Sequence, residues 1–198
     1  MNCKTCAITG HRPTRFKWKY NENNTGCKRL KRRLRDQFIL LYEQGVHHFW
    51  VGGALGVDLW AGEILLQLKQ APEFDKLKLY LALPFLEYND SWDIKSKNRI
   101  AALRDGCASV VIVGTVDKPT DSYRKRNVYM VNQADILLAV FDNEHAIRSG
   151  TGMTVNYAKK KGIPITLIHP DTGIVSSLPE KAIYIDEASL HAHRQKGK

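Results

Sequence analysis

The sequence predicts an α/β fold, a doubly wound, mostly parallel Rossmann-like sheet in a three-layer α/β/α single domain. Three observations predict it. Apolar runs alternate with helical patterns along most of the chain. Runs such as 110–113 (VVIV) and 136–141 (ILLAVF) are apolar at every position, as parallel strands covered by helices on both faces require. Several runs end in glycine-containing turns that open helices, the arrangement of ligand crevices in such sheets.

Taken in order, 3–9 reads as a first strand, and 28–44 as an amphipathic helix with Leu30, Leu34, Phe38 and Leu41 at helical spacing. A second strand covers 46–51, and Gly52-Gly53 turns the chain into a helix over about 55–69. The third strand, 77–83, is stopped by Pro84, and a short helix near 95–105 leads to a fourth strand at 109–113. Helix 123–133, strand 136–141, helix 151–161 and strand 163–168 close a series of five βα units and a sixth strand. The predicted domain is 1–177, with a loop-like insert at 13–27 and a polar tail at 178–198 in which His191 and His193 read as solvated.

The chain has 198 residues, 43% of them hydrophobic, enough for one substantial core. Its net charge is +10, yet Arg12 to Arg35 holds ten cations against Glu22 alone, leaving +1 for everything else. That disfavours a uniformly basic nucleic-acid coat and asks instead for an account of one basic segment. The cations of 28–35 crowd the start of a helix, where both the dipole and mutual repulsion oppose them. Lys159-Lys160-Lys161 ends a helix, where cations are favourable.

No apolar signal region or membrane-length stretch is evident, and the expected location is cytoplasmic with no membrane partner. Four cysteines are few and scattered for a disulfide framework. Cys3-x-x-Cys6 sits on a strand at odd separation, facing opposite ways, so the expectation is buried structural thiols and no metal site. His47 and His48 are expected on opposite faces of the second strand, neither as ligand nor as base.

Three junctions carry candidate chemistry. After the first strand, Gly10 permits close backbone approach while His11 and Arg12 supply donors, Arg12 with a phosphate-matching fork. After the second, Gly52 and Gly53 open a helix with Asp58 in its first turn, placed to hold a ribose hydroxyl or to complement the dipole. Its spacing is neither a dinucleotide fingerprint nor a Walker A loop. After the fifth, Asp142 precedes Ser149, Gly150, Thr151 and Gly152, whose amides and hydroxyls suit a phosphate at a helix head. Each has a local explanation as a turn or cap; their convergence is what points to a phosphate-bearing ligand. Phe16, Trp18 and Tyr20 alternate with lysines, so that an extended segment would line rings on one side as a lid or stacking strip, or seal the core edge.

In this order, Thr-Gly-His-Arg-Pro (9–13), Gly-Gly-Ala-x-Gly-x-Asp (52–58), Arg126-Asn127 with Met130, Ala134-Asp135 and Gly150-Thr151-Gly152 resemble the YpsA-like branch of the SLOG superfamily, over about 6–168. The resemblance implies a Rossmann-like binder of nucleotides or nucleotide-derived ligands, ADP-ribose or NAD related, in proteins proposed as sensors, regulators or processing enzymes. The related LOG-type phosphoribohydrolases cleave an N-glycosidic bond with an Arg and a Glu. Arg126 matches that Arg, but Asn127 stands for a Lys, and Met153 and Thr154 stand for two glutamates. Glycosidic cleavage needs a carboxylate near the oxocarbenium-like centre, a role left to Asp58, Glu63 or Asp142.

The leading expectation is therefore a cytosolic protein that senses or sequesters a nucleotide-type ligand, with no required cofactor or metal. Gly10, Arg12, Gly53 and 149–152 are expected on phosphates, and His11, Asp58 and Arg126 on a sugar or second phosphate. The alternatives are an N-glycosidase or nucleotide hydrolase using Asp58, Asp142 and Arg126, and a protein whose basic helix binds nucleic acid or an acidic partner. A homo-oligomer is compatible with all three.

Overall fold

The computed structural model describes residues 3–143 and 149–178. These form seven strands and five α-helices: β1 (Lys4–Gly10), α1 (Thr25–Glu43), β2 (Val46–Val51), α2 (Val57–Leu68), β3 (Lys78–Leu83), α3 (Ile94–Gly106), β4 (Ser109–Ile112), α4 (Pro119–Asn132), β5 (Ile136–Val140), α5 (Gly150–Lys161), β6 (Ile165–Ile168) and β7 (Val175–Leu178). They build one sheet in the order β4-β3-β2-β1-β5-β6-β7. All neighbours run parallel except β6 and β7. The chain winds outward from β1 to β4, then crosses back to β5 on the other side of β1. The topological switch point thus lies between β1 and β5, whose Gly10 and Val140 are in register.

Helices α1, α2 and α3 cover one face over a core that includes Leu30, Leu34, Phe38, Phe49, Trp60 and Leu65. Helices α4 and α5 cover the other, over Ala7, Trp50, Met130, Leu137, Phe141 and Val155. His47 meets Tyr42 of α1 and His48 meets Tyr80 of β3, ring centroids 4.8 and 5.4 Å apart. Among the described residues no helix is long and apolar enough to cross a membrane.

Four expectations need correction. The sheet has a seventh strand: Gly173, at φ +73°, turns the chain after His169, and β7 pairs back on β6. The apolar run of β4 is not covered on both faces; β4 is a sheet edge, with Val110 and Ile112 exposed. Helix α1 starts at Thr25, because the Asn24 side chain accepts from Gly26 N at 2.8 Å and caps the first turn. Cys3 is exposed, whereas Cys6 and Cys27 are buried, and all four cysteines are free. The tail beyond 178, with His191 and His193, lies outside the described residues.

The insert is a string of turns, beginning with a 3₁₀ turn at Pro13–Arg15, rather than an extended strip. Phe16 is buried against Trp60 and stacks on Trp18, with centroids 5.5 and 4.9 Å away, which leaves Tyr20 as the exposed ring of the three. Glu22 anchors the far end. The Arg99 guanidinium forks onto Glu63 at 2.6 and 2.8 Å and reaches Glu22 at 2.7 Å, while Lys31 also pairs with Glu22. Burial pushes the Glu22 carboxyl up, but the hydrogen bonds from Arg99 and Lys31 outweigh it and hold it at about 2.

A carboxylate depressed in the folded state stabilises the protein above its unfolded pKa of about 4.3 and loses that contribution as pH falls toward 2. Arg99→Ala is expected to lower unfolding free energy by about 2 kcal/mol at pH 7, the worth of hydrogen bonds to charged groups. Urea titrations should show the gap to wild type narrowing at pH 3. An equal gap at both pH values would show that Glu22 is not held this way.

Candidate functional site

Where β1 and β5 end, a cleft of about 1310 Å³ opens, lined from β1 by Gly10, His11 and Arg12, from β5 by Phe141 and Asp142, and from α5 by Ser149, Gly150, Thr151 and Gly152. Two of the predicted junctions, the first and the third, meet there directly. The third is continuous only in sequence, since 144–148 lie outside the described residues. Asp58, Arg126 and Asn127 form part of the wall, and Arg12 lies over the Tyr123 ring, 5.4 Å from its centroid.

The second junction does something different from cradling an anion. Arg126, from α4, reaches across the sheet end and donates through Nη1 to Asp58 Oδ2 at 3.0 Å, both side chains being buried, at 6% and 7% exposure. It passes directly over Gly52, where an added Cβ would lie 1.2 Å from Nη1. Gly52 is therefore glycine so that the pair can form. The same Asp58 oxygen faces Ala54 N at 3.4 Å, so the start of α2 already carries a carboxylate of its own. Burial raises the Asp58 carboxyl above the usual range, with Arg126 and the Ala54 amide pulling the other way. Gly52 and Gly53 stay behind this pair, and the Gly53 carbonyl accepts from Tyr88 Oη at 3.2 Å.

The start of α5 is the opposite case. Its first turn holds no acidic residue, and the Ser149 hydroxyl accepts from Gly152 N at 3.0 Å. That uses one of the unsatisfied amides and leaves the dipole's positive end facing the cleft. Gly10 keeps the opposite wall close, since a Cβ there would meet Val57 at 2.5 Å.

His11 lies on the floor, its ring 5.6 Å from Phe141 and 6.4 Å from Phe16. Burial holds its pKa below the usual value; Asp142 opposes that and Arg15 adds to it. Among the described residues His11 Nε2 and Arg126 Nε are buried with no hydrogen-bond partner.

Several wall residues lie outside the three motifs. Arg15 pairs with Asp142, and Asn156 and Lys160 follow Gly152 at four-residue steps, placing all three on the cleft side of α5. That helical spacing was available as a signal; the Arg15–Asp142 pairing, 127 residues apart, was not. Of the positions that stand for LOG glutamates, Met153 lines the cleft, while Thr154 is buried and its hydroxyl donates to the Gly150 carbonyl. Glu63 sits away from the cleft, held by Arg99. Among the described residues no group of three or more His, Cys, Asp and Glu side chains is clustered to hold a metal.

A family model described as the YspA SLOG family matches residues 6–172. The chain belongs to this SLOG family. A UPF0398 protein of Bacillus licheniformis is 29% identical over 160 residues, covering 79% of this chain and 84% of that protein. A UPF0398 protein of Bacillus cereus is 30% identical over 164 residues, covering 80% and 84%. Among solved structures, DNA processing protein A (DprA) from Streptococcus pneumoniae superposes with a TM-score of 0.54 at 16% identity, over 98% of this chain and 57% of that one. At that identity the likeness is one of fold, and this SLOG chain spans little more than half of DprA.

Proposed function

We propose that the protein is a cytosolic binder that senses or sequesters a nucleotide-derived ligand carrying phosphate, of the ADP-ribose or NAD class. The observation that carries this reading is the acid-free, Ser149-capped start of α5 opening into the cleft at the β1/β5 switch point. A phosphate there takes the free amides of Gly150 and Thr151, and Arg12 supplies countercharge. The unpartnered nitrogens of His11 and Arg126 suit a second phosphate or a ribose. The cleft volume of about 1310 Å³ is above the roughly 300–1,000 Å³ of pockets for drug-sized ligands, which fits a ligand larger than a mononucleotide. Four free cysteines support a reducing compartment.

Capture without turnover is the better-supported outcome because the cleft carboxylates are engaged: Asp58 with Arg126, Asp142 with Arg15, and Asp121 with Lys125. A hydrolase reading keeps one support: burial displaces the Asp58 carboxyl upward, the direction in which a general acid is tuned.

Differential scanning fluorimetry with ADP-ribose, NAD and cyclic nucleotides, combined with chromatography of the incubated ligand, tests both readings. A ligand at about 100 times its Kd adds about 2.7 kcal/mol, or about 5–10 °C in Tm for a chain of this size. Ser149→Trp should abolish the shift. No shift with any member of the panel would sink the proposal, and product release lost in Asp58→Asn would replace it with the hydrolase.

A further inference from the structure

The cleft accounts for only part of the positive charge between Arg12 and Arg35. Arg12 and Arg15 belong to it, Lys31 pairs with Glu22, and Arg29 donates to the Asp171 carbonyl at 2.6 Å. Six remain, all exposed: Lys17 and Lys19 in the insert, and Lys28, Arg32, Arg33 and Arg35 on the first three turns of α1. Among the described residues, Arg33 has a carboxylate at the edge of range, Asp36 at 3.9 Å. Lys28, Arg32 and Arg35 follow one another at four and three residues, a single stripe about 10 Å long at the helical rise.

This placement is costly. The first turn of α1 contains no acidic residue to offset the dipole. Like charges also stand four apart at Lys28/Arg32, Arg29/Arg33 and Lys31/Arg35. Solubility alone would be served by cations anywhere, including the C-terminal turn of α5, where Lys159, Lys160 and Lys161 suit the dipole. A surface assembled against its own electrostatics fits a polyanion that offsets them on binding.

An independent observation says which polyanion. Tyr20 is 63% exposed and flanked by exposed Lys17 and Lys19. Its segment is fastened to α1 on both sides: Trp18 packs over Gly26 in the first turn, and Glu22 pairs with Lys31. The segment that carries the ring is therefore held against the first two turns of α1, the end at which the cationic stripe begins. Carboxylates of an acidic protein need only the cations, and a duplex hides the faces of its bases. A single strand offers phosphates and a stackable base together.

We propose that the N-terminal half of α1 and Tyr20 form a binding surface for single-stranded nucleic acid, distinct from the cleft, with Lys28, Arg32 and Arg35 against successive phosphates and Tyr20 stacked on a base.

Fluorescence anisotropy of the full chain with a labelled oligodeoxythymidine tests this. Three phosphate contacts predict a slope of about −2 in log K against log salt for a single strand, and Arg32→Ala/Arg35→Ala should flatten it by about 1.4. Tyr20→Ala should weaken binding about tenfold with the slope unchanged. The Arg32/Arg35 variant folds at least as well, since it relieves repulsion, and it should keep any thermal shift that ADP-ribose gives the wild type. Equal affinity for a duplex, or displacement of the oligonucleotide by an equal charge of polyglutamate, would overturn the proposal. So would binding that survives Arg32→Ala/Arg35→Ala but is lost in Ser149→Trp, because that would put the strand in the cleft.

Discussion

Gly52→Ala is expected to destabilise the protein by about 3–5 kcal/mol, the cost of leaving one member of a buried ion pair without the other. The methyl would occupy the space of the guanidinium, 1.2 Å from Arg126 Nη1 and 2.6 Å from Asp58 Oδ2. Arg126 has to leave, because Gly52 is backbone of the β2–α2 turn and cannot retreat without dragging α2. Asp58 then stays buried with the Ala54 amide and the Arg12 charge as its remaining support. Arg126→Met should cost about as much by the same route.

The pH dependence separates a lost ion pair from simple overpacking. Burial already raises the Asp58 carboxyl, and removing Arg126 takes away the main opposing charge, so the folded-state pKa climbs further. A raised carboxyl binds its proton more tightly when folded. The penalty is therefore small below the unfolded pKa of about 3.9 and grows as pH rises through the window up to the folded value. Denaturant unfolding of Arg126→Met should show a deficit that shrinks on acidification, and Arg126→Met/Asp58→Asn should recover part of it at neutral pH. A deficit constant with pH would mean that packing, not charge, is what Gly52 protects.

How much of this was legible beforehand depended on whether a feature was local. Strand and helix order is written in periodicity, and parallel winding in runs such as ILLAVF, so the doubly wound sheet and the cleft at the strand ends were readable. The motifs 9–13, 52–58 and 150–152 carried the SLOG family, which the match over 6–172 bears out. β7 left only a partial trace, since Pro170-Asp171-Thr172-Gly173 is a turn signal but the Val-Ser-Ser-Leu run after it has no alternation to mark a strand. Edge position was not: β4 looks like a central strand in composition, and only strand order exposes Val110 and Ile112. Nor were the long-range pairs. Asp58 and Arg126 are 68 residues apart and Glu22 and Arg99 are 77 apart, and neither partner's neighbourhood names the other. Of the two readings of the rings at 16–20, sealing the core edge holds for Phe16, which is buried, while the extended strip fails because alternation implies two faces only in extended backbone, and this backbone turns.

ADP-ribose should bind more tightly as pH falls from 8 toward 6, by up to tenfold per pH unit, and His11→Asn should remove that dependence. In the ligand-free protein burial disfavours the imidazolium and holds the His11 pKa below its usual value. An anion at the head of α5 reverses the balance, since a cation on the cleft floor then gains a countercharge in a poorly solvated place. The bound-state pKa rises above the free-state value, and between the two each ligand bound takes up a proton. By linkage, log Kd changes with pH by at most one unit per unit in that window and flattens on either side. The pyrophosphate of ADP-ribose carries no monoester group, so the ligand adds no phosphate titration near pH 6. The same linkage has a stability counterpart without ligand: a histidine depressed in the folded state favours folding above its unfolded pKa of about 6.5, and that contribution is lost as pH falls through the folded value. Ligand-free wild type should therefore lose stability on acidification below about 6.5, at the acid end of the range over which ligand affinity rises, and His11→Asn should lose both trends together. Calorimetric titrations in two buffers of different ionisation enthalpy would count the protons directly. An uptake of zero, with Kd flat from pH 8 to 6, would place His11 outside the anion's reach and leave Arg12 and the α5 amides as the whole phosphate site.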